Sequence, residues 1–311
     1  MMEINMSSVT LAESAKLSLN QLIEGVIENV ITVNRFYQIL PFQAIDGNAL
    51  AYNRENALGD VQFAGVGTTI TAKNPATYTH VTSSLTSIIG DAEVNGLIQA
   101  TRSGKQDQTA LQVASKAKSV GRQYQDSMIN GDGTGNSFSG LLSLVTGGQS
   151  ITGPGNNGDA ISFDLLDQLI DKVTDKDGQV DYLLMNARTL RSYNGLLRAL
   201  GGASIGDVVR LPSGVTVPAY REIPIFRNDY VPTTQTKGST STCTTVVAGT
   251  LDDGSMMHGI AGLTAANANG LQVEPVGTSE TKDERITRVK WYCGLALFSE
   301  KGLAALTGIT N

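Results

Sequence analysis

The segment between Asp46 and Gly96 constrains this chain more than any other. It is rich in Gly, Thr, Ser and Asn, carries few charges, and has too little apolar surface for a core of its own. Thr77 to Ile88 is β-prone and partly alternating, with Thr79, Val81 and Leu85 on one side and Tyr78, His80 and Thr82 on the other. Asp60 to Val66 reads as a second strand, and Gly65, Gly67, Lys73, Asn74 and Pro75 between them supply turn chemistry. The pattern predicts a long two-stranded arm. An isolated hairpin is marginal in water, so this arm needs support from outside itself.

Helical spacing brackets the arm. Leu11, Ala15, Leu19, Leu22, Val26 and Val30 recur at threes and fours behind Thr10, which predicts an amphipathic helix over 10–30. The clearest helix is 107–130: Ala110, Val113, Ala117, Val120, Tyr124 and Met128 form one stripe, Asp107 is the expected cap, and Gly131 follows the end. Its stripe is mostly small, which suits close packing on a flat partner. Ser162 opens another helix carrying Leu165, Leu166, Leu169, Ile170 and Val173, and Asn186 caps one that ends at Gly201 and Gly202. Strands are expected at 181–185, 215–217, 223–226, 244–248 and 271–276. Val289, Trp291, Cys293, Leu295 and Leu297 give one face to a strand over 286–298, and Glu300 to Leu306 reads as a short closing helix. Strands and helices interleave without a regular βαβ rhythm, so the fold class is α+β.

Composition removes several function classes. The 311 residues include 34 glycines but are only 17% charged, against about 25% in an ordinary soluble protein, and the net charge is −6. There is no run of about 20 apolar residues for a membrane helix, and Met1 to Thr10 shows no secretory signal pattern. Two cysteines, Cys243 and Cys293, make no disulfide framework and fit a reducing cytosol. Mild acidity argues against a nucleic-acid reader. A surface of neutral Ser, Thr, Asn, Gln and Gly is cheap to desolvate, as subunit contacts require.

Candidate chemistry fares poorly. The run NGDGTGNSFSGLL at 130–142 lacks the Lys of a phosphate loop. Read as a calcium loop from Asn130, it offers only Asp132 as an acid and Leu141 at the twelfth place. It therefore reads as a helix stop with a tight turn. His80 and His258 have no Cys or His at ligand spacing, and no G-x-S-x-G elbow is present. Asp164, Asp167 and Asp171 read as the solvated face of the leucine-bearing helix. Lys105, Lys116, Lys118 and Arg122 make the long helix locally basic beside Asp107 and Asp126. That patch suits either a salt-sensitive contact to a nucleic-acid backbone or acids of a neighbouring subunit. No catalytic, cofactor-binding or metal residue is assigned, and the chain is expected not to be an enzyme.

The linear order of the parts is more specific than any motif. An amphipathic N-terminal segment, a polar β-arm and a long helix entering NGDGTGNSFSGLL are followed by SFDLLDQLIDKV, DYLLMNARTLRSYNGLL, REIPIFRNDYVP, TTVVAGTLDD and ITRVKWYCGLALFSEKGLAAL. This order resembles the major capsid protein of tailed bacteriophages, the Hong Kong 97-type shell fold, over nearly the whole chain. Gly140-Leu141-Leu142 and the Ile-Pro-Ile segment at 223–232 are its most distinctive pieces.

The resemblance implies an N-terminal arm over 1–45, an extended loop over 46–101 and a peripheral domain with its spine helix over 102–145. A mainly axial domain over 146–269 follows, and 270–311 would return to the peripheral sheet. It also implies hexamers and pentamers of an icosahedral head around double-stranded DNA, assembled in the host cytoplasm. Scaffold, portal and decoration proteins are implied partners, with any scaffold a separate protein because shell-like sequence starts almost at Met1. Some relatives cross-link a loop Lys to an Asn; Lys73 is the one Lys of the extended loop, but no motif marks an Asn partner or a catalytic Glu. Two other structural roles compete: an encapsulin-type cargo compartment, and a tail-tube or filament subunit.

Overall fold

The computed structural model describes residues 34–102, 107–175, 178–199, 207–212 and 214–311. The helix expected over 10–30 lies outside them. After a short 3-10 turn at Arg35–Gln38, capped by the Asn34 side chain, come β1 (Phe42–Ile45), β2 (Ala49–Ala57), β3 (Thr77–Ser84) and β4 (Thr86–Asn95). Next are the helices α1 (Gly96–Arg102), α2 (Gln108–Asn130) and α3 (Leu141–Leu144), β5 (Ser150–Thr152), α4 (Phe163–Thr174), β6 (Tyr182–Met185) and α5 (Ala187–Ala199). The remaining strands are β7 (Val208–Arg210), β8 (Thr216–Tyr220), β9 (Ile223–Arg227), β10 (Gln235–Lys237), β11 (Thr240–Gly249), β12 (Ile260–Ala265), β13 (Gln272–Thr278), β14 (Glu284–Leu297) and β15 (Leu303–Ile309).

Two sheets and a detached hairpin organise these elements. The five-stranded sheet is built on β14. One of its edges pairs with β4 over ten residues, from Cys293 opposite Thr86 to Glu284 opposite Asn95. The other edge takes β13 and then β12, and β1 lies parallel to β12. Helix α2 packs across β4 and β14, as its small-residue stripe anticipated. Val120, Tyr124, Met128 and Ile129 are its buried apolar positions, and the Asp107 carboxylate accepts from the Thr109 and Ala110 amides at 3.0 and 3.4 Å. This cap satisfies two of the donors that every helix start leaves free.

The larger sheet runs β5-β15-β11-β6-β9-β8-β7, with β10 on β11. Helix α4 covers it with Leu165, Leu166, Leu169, Ile170 and Val173, and its first turn is closed by the Ser162 hydroxyl accepting from Leu165 N at 3.3 Å. Helix α5 starts where the Asn186 side chain accepts from Thr189 N at 2.9 Å. One apolar cluster joins the two sheets, bringing Tyr124 and Met128 of α2 and Cys293 and Leu295 of β14 together with Tyr182, Leu184, Phe226 and Val247 of the second sheet. The α+β assignment therefore holds. The glycine-rich run closes as a turn: Gly140 N donates to Gly131 O at 2.7 Å, and Asp132 bridges Ser139.

Two expectations are corrected. The first strand of the arm is β2 at 49–57, not 60–66; its ladder on β3 runs from Ala49 opposite Ser84 to Ala57 opposite Thr77. Across 58–76 the Gln62 side chain does what a strand would have done. Its Oε1 accepts from Thr71 N and Ala72 N at 2.7 and 2.8 Å, and its Nε2 donates to Thr69 O at 3.0 Å. The closing helix over 300–306 is a 3-10 turn at Glu300–Gly302 followed by β15, whose Leu-Ala-Ala-Leu run is buried between β11 and β5. Tertiary pairing there overrides helix propensity. Within the stretch 270–311, β13 and β14 lie in the sheet that carries α2, whereas β15 lies in the other. The α2-bearing sheet also takes in β1, β4 and β12.

Candidate assembly surfaces

The β2–β3 arm is anchored at its root and open at its tip. Leu50, Tyr52 and Leu85 pack on a small cluster of Ile45, Leu263, Ala296 and Phe298 on the face of the sheet end. Strand alternation puts Tyr52 and Arg54 on one side of β2. The Tyr52 hydroxyl donates to Leu297 O at 2.6 Å, and its ring lies 5.3 Å from that of Phe298. Arg54 donates from Nε to Phe298 O at 3.0 Å, from Nη1 to the Glu300 carboxylate at 2.8 Å, and from Nη2 to Leu297 O. Beyond this root, Leu58, Val61, Phe63, Val66 and Ile70 are exposed. Five large apolar side chains on one loop are more than scattered surface residues, and such a patch marks a contact surface. Lys73 is exposed on the same loop.

The basic patch on α2 is only partly free. The stem of Lys116 passes along Gly90 of β4, where an added Cβ would meet its Cδ at 3.5 Å. Asp107 is spent on the helix cap, and Asp126 accepts from Asn130 Nδ2 at 2.7 Å. Arg122 instead opens onto a cleft of about 590 Å³ between α2, β8 and β9, shared with Arg35, Arg227, Leu190, Pro218 and Tyr230. Arg227 is held there by Asp229 at 2.9 and 2.6 Å. Lys105 lies outside the described residues. A wider cleft of about 1150 Å³ lies beside the end of α4, lined by Gln168, Asp171, Lys172, Asp175, Glu300 and Lys301 among others. No His or Cys lines either cleft.

Residues weighed for chemistry are dispersed. His80 Nδ1 lies 2.9 Å from Asn53 Oδ1 on the arm, and His258 Nε2 lies 3.6 Å from Asp253 in the β11–β12 loop. Cys243 and Cys293 are buried in different sheets, and burial pushes the Cys293 thiol up to about 12. Asp132 is satisfied by its own turn, accepting from Thr134 N at 3.0 Å and from its hydroxyl at 2.6 Å. Asp167 departs from the expected solvated row: it accepts from Tyr220 Oη at 2.8 Å and from Arg221 Nη1 at 3.1 Å. It ties α4 to the β8–β9 turn. Sequence patterning missed Tyr52 and Arg54; their spacing of two on a strand was the only signal.

The fold has solved counterparts. It matches the holo-SrpI encapsulin complex from Synechococcus elongatus PCC 7942 with a TM-score of 0.74 at 17% identity, covering 97% of this chain and 96% of that one. The capsid of the native GTA particle matches at 0.66 and 13% identity, covering 98% and 99%. The capsid of Myoviridae phage XM1 matches at 0.64 and 12%, covering 93% and 97%. No curated protein sequence matches the chain. Two sheets, a long helix on the smaller one and a detached hairpin thus make a mixed α+β fold of the Hong Kong 97 type. Residues 66–210, a little under half of the chain, match the family model described as SU10 major capsid protein.

Proposed function

We propose that this subunit builds the icosahedral head of a tailed phage as hexamers and pentamers around double-stranded DNA, with the β2–β3 arm lying over a neighbouring copy. The exposed apolar tip from Leu58 to Ile70 carries the reading. At about 25 cal/mol per Å² of apolar area removed from water, burying five such side chains in a neighbour offsets much of the entropy lost on association. In this reading the α2-bearing sheet is the peripheral domain and the larger sheet the axial domain. The chain meets scaffold, portal and decoration proteins and assembles in the host cytoplasm. DNA contacts are weak, because a subunit of net charge −6 offers few cations for counterion release.

Negative-stain microscopy of the expressed protein is the direct test. Closed shells are expected; a monomer at every concentration sinks the proposal. Nuclease treatment of particles from infected cells, followed by extraction, tests the cargo. Protected long DNA is expected. Shells holding only a protein cargo would instead favour a compartment like the SrpI encapsulin, whose fold this chain matches.

A further inference from the structure

The arm leaves the body through two chain crossings. At one, Gly47 adopts φ +95°, a conformation that costs a residue with a side chain more than it costs glycine. At the other, Leu85 interrupts β3 and β4 and donates its amide to Asn48 O at 2.8 Å. A two-stranded ribbon on two such crossings is free to swing, since ribbons twist and bend more easily than wide sheets. What opposes the swing is Arg54. It lies six residues from Asn48, about 20 Å along an extended strand, and its side chain is only 14% exposed although it belongs to a projecting arm.

Its three nitrogens reach three acceptors clustered where β14 ends: the carbonyls of Leu297 and Phe298 and the carboxylate of Glu300. The Tyr52 hydroxyl and ring add a second contact to the same turn of chain. A planar guanidinium with donors in a fixed fork orients its partners as well as attracting them. Held about 20 Å from the hinge, a contact with an ångström or two of play leaves the arm only about 5° of swing.

We propose that Arg54 is a positioning residue for assembly: it sets the angle of the arm on the body, and through that angle the curvature of the shell. The second half rests on the shell reading above; the first does not. Arm angle becomes curvature because the tip carries the contact surface and the root fixes its direction. Glu300 contributes through its ion pair, and the two carbonyls supply the directional part.

Two readouts on the full chain test the two halves separately. Hydrogen exchange on the unassembled subunit is expected to speed up at least roughly tenfold over 49–57 and 77–84 in Arg54→Ala, with exchange in α4 unchanged, as local opening of one unit requires. Arg54→Lys, which keeps the pair with Glu300 but cannot serve both carbonyls, falls between. Glu300→Gln and Tyr52→Phe give smaller increases of the same sign and stand in if Arg54→Ala does not fold. Particle diameters measured by microscopy are expected to broaden in the same order. Arm exchange equal to wild type in all four variants overturns the latch. Faster exchange with particles of a single native diameter overturns the link to curvature. Absence of particles in wild type overturns the shell reading and that link together, leaving the latch to be decided by exchange alone.

Discussion

Arg288 and Asp91 face each other across β14 and β4 as a two-pronged pair, Nε to Oδ1 and Nη2 to Oδ2, both at 2.8 Å. On the other side of β14, Lys290 Nζ reaches Glu274 at 2.5 Å. These pairs form a cross-strand ladder on the face of the sheet opposite α2. The Arg288 hydrogen bonds hold the Asp91 carboxyl below the usual carboxylate range. A depressed folded pKa adds stability above the unfolded value, about 3.9 for Asp, and that stability is lost as pH falls through the folded value. Asp91→Asn should therefore melt below wild type at pH 7, and the gap should close as pH falls toward 3. Thermal melts at the two pH values check this; a gap that stays constant would mean that the pair contributes nothing through its charge.

The β8–β9 turn is tight and strained. Arg221 and Glu222 both sit at positive φ, 51° and 67°, in a two-residue turn of the kind that prefers Asn-Gly. Asp167 holds this turn through Tyr220 and Arg221. Glu222→Gly is expected to stabilise the subunit by about 0.5–1 kcal/mol, since a side chain in the left-handed region costs roughly 1–2 kcal/mol and glycine's added chain entropy returns part of that. Asp167→Ala should destabilise by about 1 kcal/mol, the net worth of a hydrogen bond. Urea midpoints of both variants, of opposite sign, are the measurement.

Gly140 is fixed by close approach rather than by backbone angle. A Cβ there would lie 2.6 Å from Ser127 O and 2.7 Å from Gly131 N, against the last turn of α2. Gly140→Ala should force the loop off the helix end and lower stability by at least about 2 kcal/mol, the scale of overpacking a tight site. Soluble yield and melting temperature report it. Gly121→Ala, on α2 with nothing within 4 Å of its missing Cβ, is the control and should raise stability by up to about 1 kcal/mol.

The arm tip should separate folding from assembly. Phe63→Ser combined with Val66→Ser removes exposed apolar surface and touches no described core contact. The melting temperature of the subunit should stay within about 2 °C of wild type, as for surface changes in a chain of this size, while particle yield falls by at least roughly tenfold through lost apolar burial. Normal particle yield would show that the tip is not a contact surface.

Local features were readable from residues alone because their causes lie within a few positions. Asp107, Ser162 and Asn186 cap helices as their side-chain chemistry dictates, and the alternation from Val289 to Leu297 does mark a strand that buries one face on the core. The poverty of apolar residues between Asp46 and Gly96 likewise implied an arm that leans on something else. The strand over 60–66 failed because a single Gln62 amide can replace several ladder bonds, which no period or propensity encodes. The closing helix failed because Leu-Ala-Ala-Leu suits a helix as well as a buried strand.

Residue order was enough to set the class of element at most positions, the absence of an independent core in the arm, and a surface poor in charge. Tertiary structure alone decided the partners: β14 between β4 and the β13–β12 pair, β15 between β5 and β11, and Arg54 on the carbonyls of Leu297 and Phe298. The reason is range. Caps, stripes and alternation are set by neighbours along the chain. Strand partners and the direction of the arm are set by groups some 200 residues away, whose meeting depends on the whole fold having closed.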